Sequence, residues 1–104
     1  MTTSTIHKVN NKMVDTNKIF GDAPPAFTDL VDLSTEIQYF NIIIYNSFDV
    51  DISLQFDAPT EEQKSIFIMP PGSWTQDNFM HNGLIKWKYT TTPPTTGIFK
   101  MANW

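Results

Sequence analysis

From residue 49 to residue 56 the chain reads Asp-Val-Asp-Ile-Ser-Leu-Gln-Phe, polar and apolar in unbroken alternation. A period of two places Val50, Ile52, Leu54 and Phe56 on one face of an extended strand. The pattern returns over residues 84–90, where Ile85, Trp87 and Tyr89 alternate with Lys86 and Lys88. Residues 36–46 are the most apolar stretch, carrying Ile37, Tyr39, Ile42, Ile43, Ile44 and Tyr45, and they predict a strand covered on both faces. Asn46, Ser47 and Phe48 read as a turn that joins this strand to 49–56 as a hairpin. Further strands are predicted at 65–69, 73–79 and 97–102, with a short helical turn or edge strand at 28–31. Pro70-Pro71-Gly72 and His81-Asn82-Gly83 punctuate as turns, and the Thr- and Pro-rich residues 90–96 read as a hairpin tip.

Short strands separated by turns at intervals of about ten residues define an all-β class: an antiparallel β-sandwich, Ig-like or jelly-roll, of about six to eight strands. Residues 27–104 form the sandwich domain. Residues 1–26 read differently, as an extended N-terminal arm and a turn. The arm is polar, with Ile6, Val9, Met13 and Val14 as its apolar anchors, and Gly21-Asp22-Ala23-Pro24-Pro25 ends it. The spacing of Ile6, Val9 and Met13 also admits a short amphipathic helix, against which Asn10 and Asn11 weigh.

At 104 residues the chain has the length of one domain with one core. It contains no cysteine, which removes thiol catalysis, disulfide staples and thiolate metal sites. The start has no apolar stretch of the secretory kind, and no apolar run approaches the roughly 18 residues of a membrane helix. A soluble chain without membrane contact is therefore expected. Charge is segregated: the balance is +2 over residues 1–18, nine acids and no base over 19–62, and +3 over 63–104, for a net −4. Arginine is missing, and with it the fork that reads phosphates and guanine edges, so nucleic acid is not an expected partner. Segregated charge instead suits contact with a neighbouring copy of the chain, basic patch to acidic patch, or equally an acidic solvent face balanced by lysines across the sheet.

Candidate chemistry is sparse. Asp49, Asp51 and Asp57, with Asn46 close by, could offer oxygens to a hard cation such as calcium. They lack the glycine-bearing loop and the downstream bidentate Glu of an EF-hand, and a solvated acidic strand face is the preferred reading. His7 and His81 stand in polar sequence without a partner at ligand spacing, and Ser73 is not in a G-x-S-x-G elbow. No catalytic residue, metal or cofactor is expected, and the chain reads as a non-enzyme. Lys86 and Lys88 make a basic pair too small for a nucleic-acid footprint. Among the aromatics, Trp74 after the Pro-Pro-Gly turn and Trp104 at the end of the chain are the surface candidates. Together with Ile6, Val9 and Met13 they form the expected interface set, for a protein partner or, alternatively, for stacking on sugar rings.

One resemblance covers residues 37–103. Ser53-Leu54-Gln55-Phe56-Asp57, then Pro70-Pro71-Gly72-Ser73 closing a strand, then the lysine-bearing Leu84-Ile85-Lys86-Trp87-Lys88-Tyr89, then Pro94-Thr95-Thr96-Gly97 before the last strand, follow one another in this order. That succession resembles small virion structural proteins of tailed bacteriophages. The resemblance implies a sandwich that decorates a capsid, or serves as a head-to-tail or tail component, located in the virion. The implied partners are capsid or connector subunits, with self-association a further expectation.

Overall fold

Strands that bury every second side chain need another layer to bury them against, and two sheets meet this need in the computed structural model, which describes residues 13–34, 41–58, 60–78 and 83–104. Eight strands run through the described residues: β1 Val14–Ile19, β2 Thr28–Asp32, β3 Asn41–Asn46, β4 Ile52–Phe56, β5 Ser65–Met69, β6 Ser73–Asn78, β7 Leu84–Tyr89 and β8 Ile98–Asn103. Helix among these residues is confined to the 3-10 turns Phe20–Asp22 and Glu61–Gln63.

The pairing is that of one long hairpin rolled up on itself. β4 pairs with β5 at its tip, and β3 with β6, β2 with β7 and β1 with β8 follow outward, all antiparallel. Rolling adds β3 to β8 and β4 to β7, which gives two four-stranded sheets in the orders β1-β8-β3-β6 and β2-β7-β4-β5. This is the strand order of a jelly roll, an antiparallel sandwich built from two interleaved Greek keys. The Ig-like alternative falls, because its sheets carry hairpins between sequence neighbours; here, among the described strands, β4 and β5 are the consecutive pair that shares a sheet.

Two hairpins expected from the sequence are therefore corrected. β3 and β4 lie in different sheets, so residues 47–51 cross the end of the sandwich instead of turning back. Phe48, 1% exposed, enters the core from this connection, which a surface turn would not allow. Residues 90–97 likewise pass from β7 in one sheet to β8 in the other and are not a hairpin tip.

The core follows the alternation. Ile42 and Ile44 of β3, Ile52, Leu54 and Phe56 of β4, Ile85 and Trp87 of β7, and Phe99 and Met101 of β8 are buried between the sheets. Trp87 and Phe99 meet across the layers with ring centroids 5.5 Å apart, and Phe48 sits 6.4 Å from the first and 6.2 Å from the second. Two features depart from the expected pattern. Tyr45 is exposed, so β3 is covered on one face, not both. Ser53, on the polar side of β4, is 5% exposed, and its hydroxyl lies 2.7 Å from that of Thr90. β4 is an inner strand, and neighbouring side chains cover its outer face as well.

β1 pairs residue for residue with β8, from Val14 opposite Asn103 to Ile19 opposite Ile98. The part of the polar segment from Val14 onward is thus an edge strand, and the Gly21 to Pro25 break joins β1 to β2. Its turn is fixed by the Ile19 amide, which donates to the Asp22 carboxylate at 2.9 Å.

Candidate functional site

The acidic cluster is dismantled by its own hydrogen bonds. Asp49 accepts from the Thr95 amide at 2.9 Å and from the Thr95 hydroxyl at 2.5 Å, and these donors hold its carboxyl below the usual carboxylate range. Asp57 faces Lys64 Nζ at 3.7 Å. Asn46, fully buried, spends its side chain on main-chain groups of its own fold. Among the described residues no group of three metal-ligating side chains comes together. What the sequence offers as a cation site is a set of ties between crossing loops.

Of the two lysines of β7, Lys88 is drawn back onto the protein. Lys86 stands opposite Asp29 of β2, while Lys88 Nζ sits 5.7 Å over the ring of Phe27 and donates to the Thr90 carbonyl at 3.4 Å.

The surface that remains is the outer face of the β1-β8-β3-β6 sheet. Directly opposed residues of an antiparallel pair point to the same side, so the register assembles this face row by row. Trp74 of β6, Tyr45 of β3, Lys100 of β8 and Asn17 of β1 stand side by side. The next row is Gln76, Ile43, Ala102 and Asp15, and Ile98 stands beside Ile19. Trp74 is 63% exposed and Tyr45 38%. Met13, Ile43, Tyr45 and Lys100 border a shallow basin of about 340 Å³ on this face. Chemically the surface can stack on planar groups, bury apolar side chains, and offer Lys100 to an acceptor.

A second apolar feature lies at the open side of the sandwich. Among the described strands β5 ends its sheet, and its consecutive Ile66, Phe67 and Ile68 are all exposed. Between this edge and the β3-β6 side of the other sheet runs a groove of about 280 Å³ lined by Ile42, Ile44, Phe56, Phe67, Ile68, Met69 and Thr75. Phe67 packs edge-on against Phe56 with centroids 5.4 Å apart.

Of the interface residues expected from sequence, Trp74 and Met13 lie at opposite edges of one sheet and do not meet. Trp104 is half-buried, and its main chain pairs with that of Asn41. Ile6, Val9, His7 and His81 lie outside the described residues. Sequence reasoning missed Tyr45, Ile19, Ile98 and Ile66, Phe67 and Ile68 of β5 as surface. Their apolar character resembles that of core residues, and only edge position or sheet side tells them apart.

Comparison with protein-family models, with curated proteins and with solved structures found no match to this chain. Its functional reading therefore stands on its residues and their arrangement.

Proposed function

We propose that this chain is a structural, non-catalytic component of a bacteriophage particle, an auxiliary or decoration protein of the capsid that binds neighbouring virion subunits. The observation that carries the reading is the outer face of the β1-β8-β3-β6 sheet. A sheet face open to water is ordinarily polar, yet here Trp74 and Tyr45 stand together, with Ile98 and Ile19 exposed on the same surface. Capping such a face with another protein removes apolar area from water and gives the aromatic pair the role of an anchor. Two further points support the reading. Jelly rolls are a common architecture of viral capsid domains, and the order of motifs from residue 37 to residue 103 resembles small phage virion proteins.

The test is occupancy in purified particles. A tagged copy of the chain is expected in particles of the phage that encodes it, and Trp74→Ala should lower its binding about tenfold or more, as loss of an aromatic anchor does. Trp74 is mostly solvated, so the variant should keep its melting temperature. Absence of the unaltered chain from particles defeats the proposal. Positions on an icosahedral lattice support the capsid role, and a ring at a vertex would reassign it to a connector or tail.

The adjacency of Tyr45 and Trp74 with Lys100 alongside favours one second reading, a carbohydrate-binding module. Glycan-array binding that disappears with Trp74→Ala, from a chain absent from particles, would put it first.

A further inference from the structure

The open edge of β5 is a surface of a different kind from the Trp74 face, because it offers main chain as well as side chain. Thr90 donates to the Asp51 carbonyl at 3.0 Å and Asp57 donates to that of Leu84 at 3.0 Å. Both bonds run between β4 and β7, on odd-numbered positions of the β4 segment. Antiparallel hydrogen bonding alternates sides along a strand. Ile52, Leu54 and Phe56 therefore turn their main-chain groups to β5, where they meet Met69, Phe67 and Ser65. On β5 the parity reverses, and the N–H and C=O of Ile66 and Ile68 point away from β4 into the open edge.

Natural sheets guard such edges with charge, proline or a bulge. Inside β5 there is none of these: the exposed residues at its centre are Ile66, Phe67 and Ile68, with Lys64 before the strand and Pro70 just after it. The sequence Ile-Phe-Ile is symmetric about its middle residue.

We propose that β5 pairs antiparallel with β5 of a second copy of this chain, about a two-fold axis at Phe67. Ile66 of one copy then opposes Ile68 of the other, and each such pair exchanges both of its N–H···O=C bonds. The pairing joins the two β2-β7-β4-β5 sheets into one continuous sheet. On the outer side Ile66 and Ile68 cover each other across the junction. On the inner side the two Phe67 rings close the mouths of the two apolar grooves. Neighbouring registers are poorer. Centring the axis on Ile68 sets Ile66 against Pro70, which has no N–H to donate, and centring it on Ile66 sets Lys64 against Ile68. A closed two-fold contact of this sort also uses up the edge, which stops further chains from adding.

The pairing goes beyond the virion reading and stands without it. The experiment is sedimentation of the purified full chain over a range of concentrations, expected to give a dimer that dissociates on dilution. The double variant Ile66→Lys, Ile68→Lys should sediment as a monomer with an unchanged far-UV circular dichroism spectrum, since both side chains are already exposed. The chain has no cysteine, so Phe67→Cys gives a single thiol per copy, placed at the axis within disulfide reach of its twin. It should cross-link under mild oxidation, and Ile98→Cys, on the other sheet, should not. A monomer at every concentration, or a dimer that survives the double lysine variant, overturns the proposal. A monomer still incorporated into particles would overturn the pairing alone, and a dimer absent from particles would overturn the virion reading alone.

Discussion

Asn46 holds three segments with one side chain. Its amide nitrogen donates to the carbonyls of Met69 at 2.8 Å, Val50 at 3.2 Å and Pro70 at 3.3 Å, and its oxygen accepts from the Phe48 amide at 3.0 Å. The side chain is fully buried, and removing it leaves the buried bonds of the Met69 carbonyl and the Phe48 amide without this partner. Asn46→Ala should cost about 3 kcal/mol, measured by urea unfolding, and a loss below about 1 kcal/mol would show that water takes over these groups. Asp49 gives a pH prediction. Thr95 holds its carboxyl below the ordinary range, so the contribution is present above the unfolded value of about 3.9 and is lost as pH falls through the lower folded value. The Thr95 amide resonance should therefore titrate with a midpoint under about 3.9, and lose that titration in Asp49→Asn. Ser34 lowers Asp32 in the same way, which is why the readout must be specific to the Thr95 amide. A midpoint at or above the ordinary carboxylate value would contradict the bonded geometry.

At the scale of elements, the connections decide more than the strands. Gly72 and Gly97 both have positive φ, 74° and 98°, yet they differ in what surrounds them. Gly72 completes the turn in which Ser73 donates to the Pro70 carbonyl at 3.2 Å, and a Cβ there would meet open space. Gly97 lies under the β3 to β4 crossing, where a Cβ would fall 2.2 Å from the Ser47 carbonyl oxygen and 2.9 Å from Phe48 Cα. Gly72→Ala should cost about 1 kcal/mol, the backbone strain alone. Gly97→Ala should cost roughly 3 kcal/mol or more, because main chain must move. Thermal melts of the two variants provide the comparison, and equal losses would place the crossing farther from Gly97 than described. The strands themselves were readable from periodicity: the alternation at Ile52, Leu54 and Phe56, and at Ile85 and Trp87, is the buried set. The two hairpin misreadings share a cause. A turn-like Asn-Ser-Phe and a Thr/Pro-rich loop carry the same local signals whether the chain turns back or crosses to the opposite sheet.

For the whole molecule, the rolled topology makes most pairings distant in sequence. β1 at Val14 finds its partner at Asn103, and β2 finds β7. Such pairings close long loops before they gain contacts, so refolding should fall in the millisecond to second range typical of β-sandwiches. Stopped-flow tryptophan fluorescence, to which the buried Trp87 contributes, is the natural probe, and microsecond folding would argue against this topology. The candidate surface was only partly readable for the same reason. Trp74 was singled out by its place after a turn, but its neighbours Tyr45, Lys100 and Asn17 come from three other strands and are brought together by register. The sequence by itself determined the antiparallel β class, the strands β4 and β7 and the side chains those two bury, because a period of two needs no knowledge of partners. Only the tertiary structure decided the jelly-roll order, the exposed edge at β5 and the apolar outer face at Trp74 and Tyr45. Which strand lies beside which is settled by non-local pairing, and an edge isoleucine is written with the same residue as a core one.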